Sequence, residues 1–231
     1  MPKKKLVDGF NRFRAKYYEG GARLMEKLAR EGAHPDFFII NCIDPRTGAD
    51  LVFDAEPGQQ FVRSQMAAII PPYDAKKRPE ISASLSYAID TKKVEHLIVM
   101  GHSQCGGVAA LVDGTSDQYI ESWVKLAMQA KHAAAANTDI DHKDKAAVLR
   151  ETERQVVIMS FKNLMEYPMV KKAVQEGRLT VDGWFFDLEK GTLHEYKPAT
   201  NEFKQLNTVE PPPAAVVKKP PHRPPPPGMA A

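Results

Sequence analysis

Residues 37–46 read FFIINCIDPR, an apolar run that ends in a cysteine and is followed by an acid and a base flanking a proline. Residues 96–107, HLIVMGHSQCGG, repeat the arrangement, with a histidine ahead of the second of the chain's 2 cysteines. A short run that is apolar throughout and bounded by turn formers fits a strand buried on both faces. Between the two runs, Ile81, Leu85 and Ile89 recur at helical spacing. Two fully buried strands separated by a helix define a parallel sheet covered on both sides.

Working outward, ARLMEKLAREG reads as a helix closed by Gly32, with Pro35 beyond it. QQFVR reads as a further strand, followed by an exposed turn at Pro71 and Pro72. From Gly114 to Tyr167 the periodicity is helical, and YPMVKKAVQEG continues it. RLTVDGWFFDLEKGTLHEY then reads as a closing hairpin about EKG. At the start, Val7, Phe10, Phe13 and Tyr17 mark an amphipathic helix with an apolar stripe that docks on a neighbouring subunit. The expected fold is α/β: a mainly parallel central sheet flanked by helices, with an additional C-terminal strand or hairpin. It occupies residues 1–205. Residues 206–231 hold half of the chain's 18 prolines and few large apolar groups, so they read as a disordered or polyproline II tail, a form that SH3-like or WW-like grooves accept.

With 43% hydrophobic residues among 231, the chain can bury a sizeable core. Its net charge of +3 is small and its basic residues are interleaved with acids, which argues against a nucleic-acid face. No apolar run approaches the ~18 residues that span a bilayer, and the basic N-terminus lacks a secretory apolar region. A cytoplasmic location is the expectation. There thiols stay reduced, which favours metal binding or a reactive thiol over a structural disulfide.

Ligands of open α/β sheets gather beyond the carboxyl ends of the strands, where Cys42, His102 and Cys105 all fall. Two thiolates and an imidazole suit zinc and leave a fourth position for water. Read by spacing alone, inert core residues fit the cysteines as well as a metal site does, and a redox pair is a lesser alternative. Asp44 and Arg46, two apart in an extended segment, project together beside Cys42. A carboxylate so paired stays ionised and oriented.

Taken together, CIDPR and GHSQCGG resemble the β-class carbonic anhydrases, whose pattern is Cys-x-Asp-Ser-Arg followed by His-x-x-Cys-Gly-Gly. The resemblance runs from Leu6 to Tyr196 and includes GFNRFRAKYYE, EPGQQFV, IIPPYD, SYAIDTKKVEHL and YPMVKKAVQEGRL. It implies zinc held by Cys42, His102 and Cys105, an acid–base dyad of Asp44 and Arg46, and reversible hydration of carbon dioxide to bicarbonate and a proton by zinc-bound hydroxide. It further implies a substrate pocket lined by Phe61 and Tyr87, an anion contact from the Gly106 amide, and assembly as a homodimer or dimer of dimers. Alternatives on the same fold are a non-catalytic zinc-binding scaffold that uses the proline-rich tail, and a hydrolase of a related molecule such as carbon disulfide.

Departures from the family pattern bear on anion positioning. Pro45 replaces a serine, Ala33 a substrate-contacting glutamine, and Ser64, Gln65 and Ala68 an Arg-Asn pair and a second asparagine. Ile39 and Asn41 stand where one branch, in which the dyad aspartate closes on zinc, has tryptophan and glycine, so the expectation is open coordination.

Overall fold

The computed structural model describes residues 2–19, 23–77 and 79–206. Six strands form one sheet: β1 (Phe37–Cys42), β2 (Gln60–Gln65), β3 (His96–His102), β4 (Thr180–Asp187), β5 (Thr192–Lys197) and β6 (Glu202–Gln205), in the order β2-β1-β3-β4-β5-β6. The first four strands across it are parallel, and β5 and β6 are antiparallel additions. β1 and β3 are apolar on both faces because both faces are covered, as their sequences require. Register decides where the motifs fall. Cys42 is level with Gln65 of β2, and Asn41 with Met100 of β3, so Cys42 and His102 emerge side by side at the carboxyl edge.

Nine helices are described: α1 (Pro2–Arg14), α2 (Leu24–Glu31), α3 (Ala49–Val52), α4 (Ile81–Ser86), α5 (Gly106–Asp113), α6 (Gln118–Val124), α7 (Met128–Ala136), α8 (Lys145–Met165) and α9 (Pro168–Gln175). Ile81, Leu85 and Ile89 all point into the main core, the last from a π-helical turn that continues α4. Gly32 ends α2 with a φ of 81°, as its place beyond the last apolar residue predicts. In the first half of the 114–167 segment the helical run is broken by a 3-10 turn at Lys125–Ala127 into α6 and α7.

α8 lies across β3 and β4, and its polar residues strap down the segment after β2. The Ser160 hydroxyl donates to the Ala68 carbonyl and accepts from the Ile70 amide, each at 3.1 Å. Asn163 donates to the Ile70 carbonyl at 2.7 Å and the Tyr167 hydroxyl to the Pro71 carbonyl at 3.0 Å. Residues 69–72 are therefore an extended strap and not the turn their prolines suggest: Ile69 and Ile70 are buried and Pro71 is half-buried, while Pro72 is exposed as expected.

β4 and β5 form the expected hairpin. β6 went unread because four residues with one apolar side chain, Phe203, carry no periodicity; that ring packs on Phe185 and Tyr196. α1 continues into a π-helical turn, Ala15–Glu19, and leaves Leu6, Val7 and Phe10 exposed. No helix among the described residues is long and apolar enough to cross a membrane. The proline-rich tail from residue 207 on, and the docking role expected of it, lie outside the described residues.

Candidate metal centre

Cys42 ends β1, His102 ends β3, and Cys105 is the N-cap of α5. All three are at most 4% exposed, and their ligand atoms lie within 4.8 Å of one another. The two sulfurs are 3.9 Å apart. Zn–S bonds of about 2.3 Å at a tetrahedral angle would set them ~3.8 Å apart, so the sulfur pair needs no rearrangement to hold the ion.

The histidine is oriented for the same task. His102 Nδ1 is 2.8 Å from the Ser103 carbonyl, which can only accept, so Nδ1 carries the proton and Nε2 keeps its lone pair. Nε2 is buried and has no partner. An orphaned lone pair facing two sulfurs is explained by a cation. The sulfurs themselves give the complementary signal: at 3.9 Å the two share one proton in a hydrogen bond, which favours the thiolate form of one of them. Cys42 and Cys105 would both be stabilised as thiolates if a divalent cation replaced that shared proton.

Close approach at this edge depends on Gly107, where a Cβ would meet that of Ala67 at 3.0 Å. Gly106 is exposed at the first turn of α5 with open space in front of it.

Beside the cage, Asp44 is gripped by its neighbour. The Arg46 amide and Nε donate to Oδ1, both at 2.9 Å, and Nη2 donates to Oδ2 at 2.7 Å. The Arg46 guanidinium holds the Asp44 carboxyl down to about 2. Asp44 Oδ2 lies 4.0 Å from His102 Nε2. Pro45 suits the middle of this Asx-turn, since the amide that bonds Asp44 belongs to Arg46 and the fixed φ of proline favours the bend. The loop is anchored from behind. Thr47 donates to the Asp44 carbonyl through its amide at 3.0 Å and its hydroxyl at 3.1 Å. Fully buried Asn41 donates to the Cys42 and Thr47 carbonyls and accepts from the Ser64 hydroxyl at 2.9 Å.

The structure thus brings Cys42, His102, Cys105, Asp44 and Arg46 together. Phe61 and Tyr87 it places elsewhere: with Phe38, Arg63 and Ser84 they line a cavity of about 220 Å³. Phe61 pairs with Phe38, at the opposite end of β1 from Cys42. Sequence reading missed Asn41, Thr47 and Glu153. A polar residue inside an apolar strand was the available signal for Asn41. Glu153 sits in a run of polar residues, Glu151 to Gln155, that reads as a solvated face, yet it is 2% exposed. Its Oε1 accepts from the Cys105 amide at 2.8 Å, and burial pushes its carboxyl up to about 7.

The sequence profile of the family described as Carbonic anhydrase matches residues 37–193. Beta carbonic anhydrase 3 of Arabidopsis thaliana is 30% identical over 195 residues, covering 81% of this chain and 74% of that protein. A carbonic anhydrase of Pseudomonas aeruginosa is 32% identical over 201 residues, covering 87% and 90%. Among solved structures, the beta-carbonic anhydrase CcaA superposes with a TM-score of 0.79 at 27% identity, covering 89% of this chain and 100% of that one. One of the tetrameric beta-carbonic anhydrases of Sordaria macrospora gives 0.74 at 29% identity, covering 84% and 96%.

Proposed function

The chain belongs to the β-class carbonic anhydrases, and on that premise we propose that it catalyses the reversible hydration of carbon dioxide to bicarbonate and a proton, with zinc held by Cys42, His102 and Cys105. The observation that carries this reading is the buried, unpartnered Nε2 of His102, facing two sulfurs and lying 4.0 Å from an ionised carboxylate. Zinc bound there supplies Lewis-acid chemistry, lowering the pKa of water toward neutrality.

Asp44 supplies orientation. A carboxylate offers about two acceptor positions on each oxygen. Arg46 fills both on Oδ1 and one on Oδ2, which leaves one acceptor on the oxygen nearer His102. Being ionised at neutral pH, Asp44 can only accept there. It takes the O–H of the attacking water and turns the water's lone pair toward the carbon of the substrate. Arg46 keeps that acceptor in place, and a second contact from its Nη2 to the Gln104 carbonyl at 3.1 Å fixes the guanidinium in turn. In this reading the amide of Gly106, an exposed residue at the positive end of α5, donates to a bicarbonate oxygen.

Phe61 and Tyr87 serve a substrate pocket only in an assembly, because in one chain they stand apart from the centre. A homodimer or dimer of dimers is therefore part of the proposal. It is supported by the exposed stripe Leu6, Val7 and Phe10, by the position of β2 at the sheet's edge, and by the tetrameric form described for the Sordaria macrospora enzymes.

Zinc quantification combined with stopped-flow carbon dioxide hydration tests the reading. Wild type is expected to hold one zinc per chain and to hydrate carbon dioxide. Asp44→Asn is expected to keep the zinc and lose ~10²–10⁴ in rate. Full zinc without hydration between about pH 7 and about pH 9, where water at such a site deprotonates, would overturn the catalytic assignment.

A further inference from the structure

Glu153 is buried to 2% exposure in the protein interior, where an unpaired carboxyl is costly, and its Oε2 has no partner. What its other oxygen touches explains why the fold keeps it. Oε1 accepts from the Cys105 amide at 2.8 Å. That amide follows Gln104, whose φ of 56° lies in the left-handed region that disfavours a residue with a Cβ. Cys105 is extended, with φ −78° and ψ 115°, and α5 has no side-chain cap of its own. So a turn whose backbone passes through a left-handed residue carries two atoms on which the metal centre depends. One is the second sulfur; the other is the Gln104 carbonyl that receives Arg46 Nη2.

Delivery of Glu153 to this turn is built into the sheet. β3 and β4 each carry a glycine under α8, at Gly101 and Gly183, and both face Val157, one helical turn beyond Glu153. The missing side chains let α8 descend onto the sheet at the level of the metal motif.

We propose that Glu153 is a positioning residue of the metal centre: its buried carboxyl holds the Cys105 amide, and so fixes the turn that aims one sulfur at the ion and one carbonyl at Arg46. This role rests on the zinc reading above and extends it from the ligands to the group that orients them.

The test compares Glu153→Gln, which keeps an acceptor oxygen, with Glu153→Met, which fills the space without one. Should the methionine variant not fold, Glu153→Leu takes its place, since it too fills the space and supplies no acceptor. Zinc affinity is measured by chelator competition, and cobalt is substituted to read the thiolate-to-cobalt charge-transfer band. Loss of an outer-shell partner costs about 10–100-fold in metal affinity, so that loss and a shifted cobalt band are expected for the methionine variant. The glutamine variant should stay within about threefold of wild type, since the acceptor is retained.

A methionine variant that melts at lower temperature when metal-free, yet binds zinc and gives the cobalt band as wild type does, would show a purely structural role and overturn the proposal. So would a glutamine variant no better than methionine. A wild-type chain that binds no zinc would overturn the site reading itself. Zinc-loaded wild type without hydration would overturn only the catalytic assignment, and the comparison of the two variants would still decide the role of Glu153.

Discussion

Gly101 and Val157 meet where α8 crosses β3: a Cβ built on Gly101 would lie 2.5 Å from Val157 Cγ2, closer than any packing allows. The helix therefore sits as low as it does because that position lacks a side chain. Gly101→Ala must lift α8 or force Val157 aside, and overpacking of this kind costs ~1–3 kcal/mol. The expected result is a lower urea midpoint, with much of the loss restored by adding Val157→Ala in the same chain. A double-mutant cycle with no coupling between the two sites would sink this account.

The same contact separates what was legible in the sequence from what was not. β1 and β3 announce themselves, since the runs FFII and LIVM are apolar throughout, and their ends carry the ligand residues close along the chain. His102 and Cys105 meet across one short loop. The register of two parallel strands is enough to bring Cys42 to them. Glu153 reaches Cys105 only through a helix packed across the sheet, at a separation of 48 residues, and nothing local marks it as buried. Asn41 and Ser64 belong to the same class: they read as departures from the family pattern, and together they tie the dyad loop down across β1 and β2. β6 was illegible for a different reason, having too few apolar side chains to show a period.

Metal removal should be felt by the whole fold. Cys42, His102 and Cys105 join the ends of β1 and β3 to the start of α5, so an ion bound there stabilises the native state by mass action. Stripping with a strong chelator is expected to lower the thermal midpoint and to make both of the chain's 2 thiols titratable with DTNB, and zinc should reverse both changes. Cys105→Ser should abolish the zinc-dependent rise. An unchanged midpoint after verified removal would mean that the centre does not clamp these elements.

Alkaline stability isolates the strap over the core. Tyr167 is fully buried, donates to the Pro71 carbonyl at 3.0 Å, and burial pushes its phenol up to about 12. An unfolded tyrosine ionises near about pH 10. Between those values the unfolded chain has released a proton that the folded chain keeps, so the stability this group provides is complete below about pH 10 and falls as the pH rises toward 12. Tyr167→Phe is expected to cost ~1–2 kcal/mol at neutral pH by leaving the Pro71 carbonyl unpaired. It should also flatten the alkaline decline. Urea midpoints measured at about pH 7 and about pH 11, either side of the free tyrosine value, check both effects; an undiminished decline in the phenylalanine chain would assign it to other groups.

Asp44 and Arg46 offer the sharpest separation of chemistry from structure. Arg46 meets Asp44 with a planar fork and Gln104 with the same nitrogen, a geometry that an ammonium group cannot copy. Arg46→Lys keeps the charge but frees one carboxylate oxygen, so Asp44 loses its fixed direction while remaining ionised. The expected outcome is a fall in kcat of ~10–10²-fold, smaller than the loss on removing the acceptor itself. Zinc content and thermal midpoint should stay near wild type, because neither side chain is one of the three ligands. Stopped-flow hydration with parallel metal analysis measures the split. A lysine variant as fast as wild type would show that charge alone, without the fork, suffices to hold Asp44, and a variant that loses its zinc would place Arg46 in the scaffold of the cage and not in the reaction.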